Sequence, residues 1–272
     1  MRRQLLYARS PRWAALAPRL EELMASAAFS VHKAEGRVRA GLLEVGDGRR
    51  VFVKRVETRS PIRGLIERVR GSRTRRALRG AAMLEAAAIA HPAPLAALEL
   101  RSIAGAVRAS YLVSEPLENA RTLSIFALGR RGELRGDLRR RIAITRAVAA
   151  AVRQLHERGL YTRDLQETNL MLEAADDGFR IYFIDLEDFA RARRVPERRR
   201  LLNLVHLDRS IGRFVGRAGR LRFLYAYLGQ RPERAEIRRT VGQLLRLRAR
   251  LDRRAALAGR RERSMPAAVS IA

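Results

Sequence analysis

The stretch Thr162-Arg163-Asp164-Leu165-Gln166-Glu167-Thr168-Asn169 runs into an apolar segment, and Ile181-Tyr182-Phe183-Ile184-Asp185 ends a second one. If the two segments pair as a hairpin, the residue entering the first lies beside the residue leaving the second. Asn169 and Asp185 then meet at the open end. An amide oxygen beside a carboxylate is a hard-oxygen pair suited to Mg²⁺, which keeps several waters and takes its other ligands from phosphates. Asp164 falls on the same rim, where its carboxylate can accept a proton from an attacking hydroxyl. Phosphoryl transfer also needs a cation on the phosphates that stay behind, and Lys54 can supply it. Each residue alone is weak: a lysine on a strand is usually a solvated face, and an Asp after a long helix is usually a turn residue. Order and spacing together set these four apart.

Lysine usage adds to the case for Lys54. The chain has 57 Lys+Arg, yet lysine occurs only at Lys33 and Lys54. In a sequence that uses arginine nearly everywhere, a retained lysine points to a need for a compact ammonium. Lys54 closes the strand-like run Val51-Phe52-Val53-Lys54.

The elements that must position these residues fall into two halves. Residues 1–30 hold a short helix candidate around Pro18 to Ala28. Val38–Val45 and Arg50–Val56 read as strands about a Gly46-Asp47-Gly48 turn. Residues 57–71 are basic and punctuated by Gly and Pro, so they read as a loop. Ser72 is placed to cap a helix running to Ala90, ahead of Pro92 and Pro94. Strands follow near Leu95–Arg101 and Val107–Ser114, and Glu115-Pro116-Leu117 reads as a hinge. Leu138–Arg158 carries Ile144, Val148, Val152 and Leu155 at helical spacing, with Gly159 where a terminating glycine belongs. A hairpin over 170–172 and 179–184 turns at Asp176-Asp177-Gly178. Basic helices follow at about 197–214, 217–229 and 233–257, and the last dozen residues read as a frayed tail. The expected fold is α+β and bilobal: residues 1–116 as a five-stranded nucleotide-binding lobe with Lys54 on its third strand, and residues 117–272 as a mainly helical catalytic lobe.

Composition narrows the setting. With no cysteine, disulfides and thiolate metal sites are excluded, and a reducing, cytoplasmic compartment is expected. No run of uncharged apolar residues is long enough to span a bilayer, and arginines interrupt every N-terminal apolar run. A net charge of +29 points to anionic surroundings: phosphates, an acidic membrane face or nucleic acid. The arginine-rich runs at 191–200 and 246–254 lack interleaved aromatics, which argues against nucleic acid. His32, His91, His156 and His206 are too scattered for a metal motif, and Trp13 reads as a packing residue.

These motifs resemble the protein-kinase-like signature of a strand Val-x-x-Lys, a His-Arg-Asp…Asn loop and an Asp-Phe-Gly triplet, here with Asp185-Leu186 in place of Asp-Phe-Gly. More narrowly, the chain resembles the bacterial lipopolysaccharide kinases, the Kdo and core heptose kinases. The matching stretches are Val51–Lys54, Ser72–Arg76, Leu155–Asp164, Phe183-Ile184-Asp185-Leu186 and Arg220–Leu228, within roughly residues 35–230. The resemblance implies ATP and Mg²⁺ as cofactors. It implies Asp164 as catalytic base, Asn169 and Asp185 as metal ligands and Lys54 as the phosphate lysine. Its acceptor is a sugar hydroxyl on an anionic glycolipid, and a basic surface would bring the enzyme to the inner face of the inner membrane. The chain departs from the pattern at Thr162, which replaces a histidine, and at Ala77, where the helix carboxylate partner of Lys54 is expected. Glu85 is then the candidate partner, and Asn203 stands where a supporting aspartate is expected. Two rival readings remain: a kinase of a protein or small molecule, and an inactive kinase-like module that binds an anionic surface.

Overall fold

Alternating apolar residues in Val38–Val45 and Arg49–Glu57 bury one face of a sheet and leave the other for function, and this alternation organises the first half of the chain. In a computed structural model, which describes residues 1–264 except 47, 59, 125–136, 177, 230 and 231, six antiparallel strands form this sheet. They are β1 (Arg2–Ala8), β2 (Phe29–Glu35), β3 (Val38–Val45), β4 (Arg49–Glu57), β5 (Pro94–Arg101) and β6 (Val107–Ser114), in the order β1-β5-β6-β4-β3-β2. The expected five strands are therefore six, and Lys54 lies on the fourth. The two edge strands come from the N-terminal segment. Each has a single neighbour and is largely solvent-facing, so neither carries the apolar alternation that marks an internal strand. The helix expected at Pro18 to Ala28 is reduced to short turns: α1 (Pro11–Leu16), a 3₁₀ turn at Ala17–Arg19 and α2 (Leu20–Leu23). Ala17, Leu20 and Met24 close one face of the sheet over Leu43, Val53, Leu98, Tyr111 and Val113.

The stretch expected as a loop holds a helix, α3 (Pro61–Arg70), and α4 (Arg73–Ala86) follows after two residues. Each begins with a serine whose Oγ accepts a hydrogen bond from the third residue on, Ser60 from Arg63 N–H and Ser72 from Arg75 N–H. Ala77, Ala81 and Leu84 of α4 belong to a second core with Val148, Val152 and Leu155 of the long helix α5 (Leu138–Glu157). Gly159 ends α5 with φ +77°, and a Cβ there would stand 2.4 Å from the Ala192 carbonyl. The chain can therefore fold back so that β8 (Leu160–Thr162) pairs with β11 (Phe189–Arg191). Between them, β9 (Leu170–Ala175) and β10 (Gly178–Phe183) form the expected hairpin, with the short β7 (Arg121–Thr122) on the outer side of β9. Helices α6 (Glu197–Ile211), α7 (Arg217–Leu228) and α8 (Arg234–Ser264) complete the fold. The turns expected at Asp47 and Asp177, and the tail beyond 264, lie outside the described residues.

The hinge segment is tied to the sheet on both sides. Glu115 pairs with Arg9 at 2.8 Å and Glu118 with Arg50 at 2.9 Å. The hairpin is tied as well, since Phe183 N–H donates to the carbonyl of Ala90, between α4 and β5. No helix among the described residues is long and apolar enough to cross a membrane.

Candidate active site

The hairpin ladder ends at the Phe183–Leu170 pair, and one further bond runs from Ile184 N–H to the Asn169 carbonyl at 3.1 Å. Asp185 is the next residue out, so Asn169 and Asp185 are neighbours on the rim, one step from direct opposition. Asn169 Nδ2 donates to the Asp164 carbonyl (3.0 Å) and to Asp164 Oδ2 (3.3 Å). The other carboxylate oxygen, Oδ1, accepts from Gln166 Nε2. Asp164 is thus oriented by two side-chain amides, while its own N–H is fixed on Thr162 Oγ1 at 3.2 Å. Because Nδ2 of Asn169 is committed to Asp164, its Oδ1 is left as the acceptor available to a ligand.

Lys54 projects from β4 on the face opposite the N-terminal core, beside Leu112 of β6. Its Nζ lies 3.4 Å from Asp185 Oδ1 and 3.0 Å from Glu187 Oε1. Burial pulls the ammonium's pKa down, yet the charges of Asp185 and Glu187 outweigh it and hold the pKa above the ordinary lysine value. Glu85, the expected partner, is exposed and lies eight residues beyond Ala77, about 12 Å further along α4. The carboxylate comes from Glu187, in the 3₁₀ turn directly after Asp185. It is nearly buried, with Arg73 Nε at 3.7 Å and Arg76 Nη2 at 3.8 Å as further cations.

The reason for this substitution is steric. Ala77 faces Lys54 across a space of only about 20 Å³, lined also by Thr74, Asp185, Leu186 and Glu187. Helix α4 sits hard against the turn. A Cβ on Gly80 would stand 2.0 Å from the Leu186 carbonyl oxygen. With the helix this close, an acid on the turn reaches Lys54 where one on the helix lacks room. The sequence signal for Glu187 was its position two residues after Asp185; nothing local marked it as the lysine's partner.

A buried polar cluster fixes the loop from below. Asn203 of α6 accepts from Thr162 N–H at 3.4 Å and donates to the Thr162 carbonyl at 2.5 Å. Asn203 Oδ1 also lies 3.0 Å from His156 Nε2, and His156 Nδ1 lies 2.9 Å from the Tyr227 hydroxyl. The network assigns the proton to Nε2, with Nδ1 accepting from tyrosine. Burial, reinforced by the charge of Arg200, pushes the His156 pKa down to about 4 against the hydrogen bond that the ring donates to Asn203, so the ring is neutral near pH 7. Tyr227 is pushed up to about 12, chiefly by burial. Asn203 thus bridges His156 and the loop backbone from the position expected of an aspartate, without adding a charge.

The donor set fits magnesium of a particular kind. Among the described residues no group of three or more His, Asp or Glu side chains is arranged to cage a metal. What exists is one carboxylate and one amide oxygen beside a lysine. This suits an ion that brings its waters and binds phosphates, and it does not suit a dedicated protein cage.

The chain is similar to known proteins over most of its length. Residues 46–227 match the lipopolysaccharide kinase (Kdo/WaaP) family. A solved WaaP in complex with acyl carrier protein superposes with a TM-score of 0.64 at 27% identity, covering 93% of this chain and 99% of that one. A BubR1 kinase domain matches more loosely, with a TM-score of 0.42 and 11% identity over 62% of this chain and 48% of that one. A search of the curated proteins finds no match.

Proposed function

This chain belongs to the lipopolysaccharide kinase (Kdo/WaaP) family, and from that premise we propose that it transfers the terminal phosphoryl group of ATP to a sugar hydroxyl of the lipopolysaccharide inner core. The observation that carries the proposal is the junction of Asp164, Asn169, Asp185 and Lys54 at one hairpin mouth. Asp164 accepts the acceptor hydroxyl's proton, with Gln166 and Asn169 holding its two oxygens in place. Asn169 Oδ1 and Asp185 would hold Mg²⁺, which would offset charge on the phosphate oxygens. Lys54 binds the phosphates that remain on the donor, and Glu187 holds its ammonium in place. Residues 1–116 serve as the nucleotide-binding lobe and residues 117–272 as the catalytic lobe. The acceptor is anionic and membrane-held, and the charge of +29 favours a cytoplasmic enzyme held peripherally at the inner membrane.

Two variants test this directly. Asp164→Asn and Asp185→Asn are each expected to lower phosphoryl transfer by about 10³-fold or more with the thermal melt unchanged. Near-normal turnover in either would overturn the assignment. A screen of inner-core sugars, proteins and small alcohols with labelled ATP identifies the acceptor class. Transfer to protein or a small molecule alone would replace the sugar reading. A protein that neither transfers phosphate nor shifts its melt with Mg-ATP would be a binding module.

A partner reading draws on the relative solved with acyl carrier protein. In this chain a cavity of about 1090 Å³ opens between α5, α6, α7 and α8, with Ile144, Leu204, Leu224 and Val241 inside and Arg217 and Arg222 near its mouth. An apolar bore with a cationic rim suits an acyl chain on an acidic carrier. Binding of acylated but not unacylated carrier protein is expected; equal binding of both would remove the cavity from the reading.

A further inference from the structure

Helix α3 is docked the wrong way round for a surface helix. At 3.6 residues per turn, Ile62, Leu65, Ile66 and Val69 fall within an arc of about 100°, and that arc faces solvent. Ile62 is 72% exposed and Val69 87%, with Leu65 and Ile66 about half exposed. The face turned to the protein is the opposite one. Gly64 rests on β6 so closely that a Cβ would stand 2.5 Å from the Val107 carbonyl. Glu67 accepts from Thr58 Oγ1 at 2.9 Å, and Arg68 donates to the Ala104 carbonyl at 3.2 Å. Ile103, at the β5–β6 turn that Arg68 grips, is also fully exposed. An ordinary surface helix buries its apolar stripe; here backbone and polar contacts hold the helix while the stripe is presented outward.

We infer that α3, with Ile103 beside it, is the surface by which this protein inserts into an anionic lipid bilayer. Charge decides the occupant. Arg63, Arg68 and Arg70 border the stripe, and Arg108 of β6 is exposed nearby. A helix with apolar residues on one side and arginines along its borders sits at the depth where acyl chains meet acidic headgroups. A second copy of the chain would bring another +29 charge against the same arginines, so self-association through this face is opposed. The inference deepens the peripheral-membrane part of the proposed function and rests on it. It replaces a diffuse basic surface with one inserted element. It also places the bilayer on the side of the sheet where α3 meets β6, which fixes how the cleft faces the membrane.

The test uses the full chain, vesicles of phosphatidylcholine with and without phosphatidylglycerol, and the double variant Ile62→Ser/Val69→Ser. Wild type is expected to sediment with the phosphatidylglycerol vesicles and not with phosphatidylcholine alone. The double variant is expected to bind at least tenfold more weakly, with an unchanged melt and unchanged phosphorylation of a soluble acceptor, because α3 is held through Thr58, Ala104 and Val107 and not through the catalytic residues named above. In Val69→Trp, indole emission is expected to shift to the blue on adding anionic vesicles. Failure of wild type to bind any anionic vesicle would overturn the membrane reading as a whole. Equal binding by wild type and the double variant would overturn only the role of α3, leaving a general electrostatic attraction. A blue shift that appears with protein concentration and no lipid would assign the face to a second copy instead.

Discussion

Helices α3 and α4 stand two residues apart, begin with the same serine cap, and are both rich in arginine. They nevertheless use their faces in opposite ways. α4 buries Ala77, Gly80, Ala81 and Leu84 and turns Arg73 and Arg76 towards a carboxylate of the active-site turn. α3 buries a glycine and shows its isoleucines and valine to solvent. Both dock through a glycine pressed onto a backbone carbonyl, but the carbonyls differ: Leu186 beside Asp185 for α4, Val107 at the start of the inner strand β6 for α3. Helix composition therefore does not determine the job. The element under the glycine does, and it makes α4 part of the catalytic geometry and α3 a detachable attachment.

The sharpest way to break this contrast is to put a methyl group at each glycine. Gly80→Ala forces α4 off Leu186 and should lower turnover by about 100-fold or more, since displacement of a catalytic group by an ångström has costs of that order. Gly64→Ala gains the same intrinsic helix preference, about 1 kcal/mol, and should leave turnover within twofold while weakening vesicle binding. Equal loss of activity in the two variants would erase the distinction. A smaller effect is expected at the residue that joins α4 to the lysine. Glu187→Gln keeps the shape but removes the charge, and should lower kcat/KM for Mg-ATP about tenfold to a hundredfold. If Glu85→Gln has the larger effect, the lysine's working partner is on the helix after all.

What could be read from the chain was what is encoded locally. The Ser72 cap, the Gly159 terminus and the hairpin from Leu170 to Phe183 each rest on residues close in sequence, and the four chemical residues are tied to those landmarks. The edge strands were not visible because Arg2–Ala8 and Phe29–Glu35 are half-solvated, and their pairing is decided by strands elsewhere. Helix α3 reads as a loop in the sequence because Pro61, Gly64 and the arginines dominate it. Its real signal was the spacing of Ile62, Leu65, Ile66 and Val69, which points away from the core and so lacks the usual meaning. Glu187 could not have been assigned to Lys54 from spacing alone. Their contact spans 133 positions, and it exists because Ala77 and Gly80 let the helix come close.

The near-absence of lysine has a practical corollary. The chain offers only two ε-amines to acylating reagents. Lys33 stands half exposed on the outer strand of the sheet, beside Glu35 at 3.2 Å, while Lys54 is clamped between two carboxylates that keep it protonated and a poor nucleophile. Amine-directed dyes, biotin or resin should therefore modify, besides the α-amino group of Met1, one lysine on an edge strand, and spare the cleft.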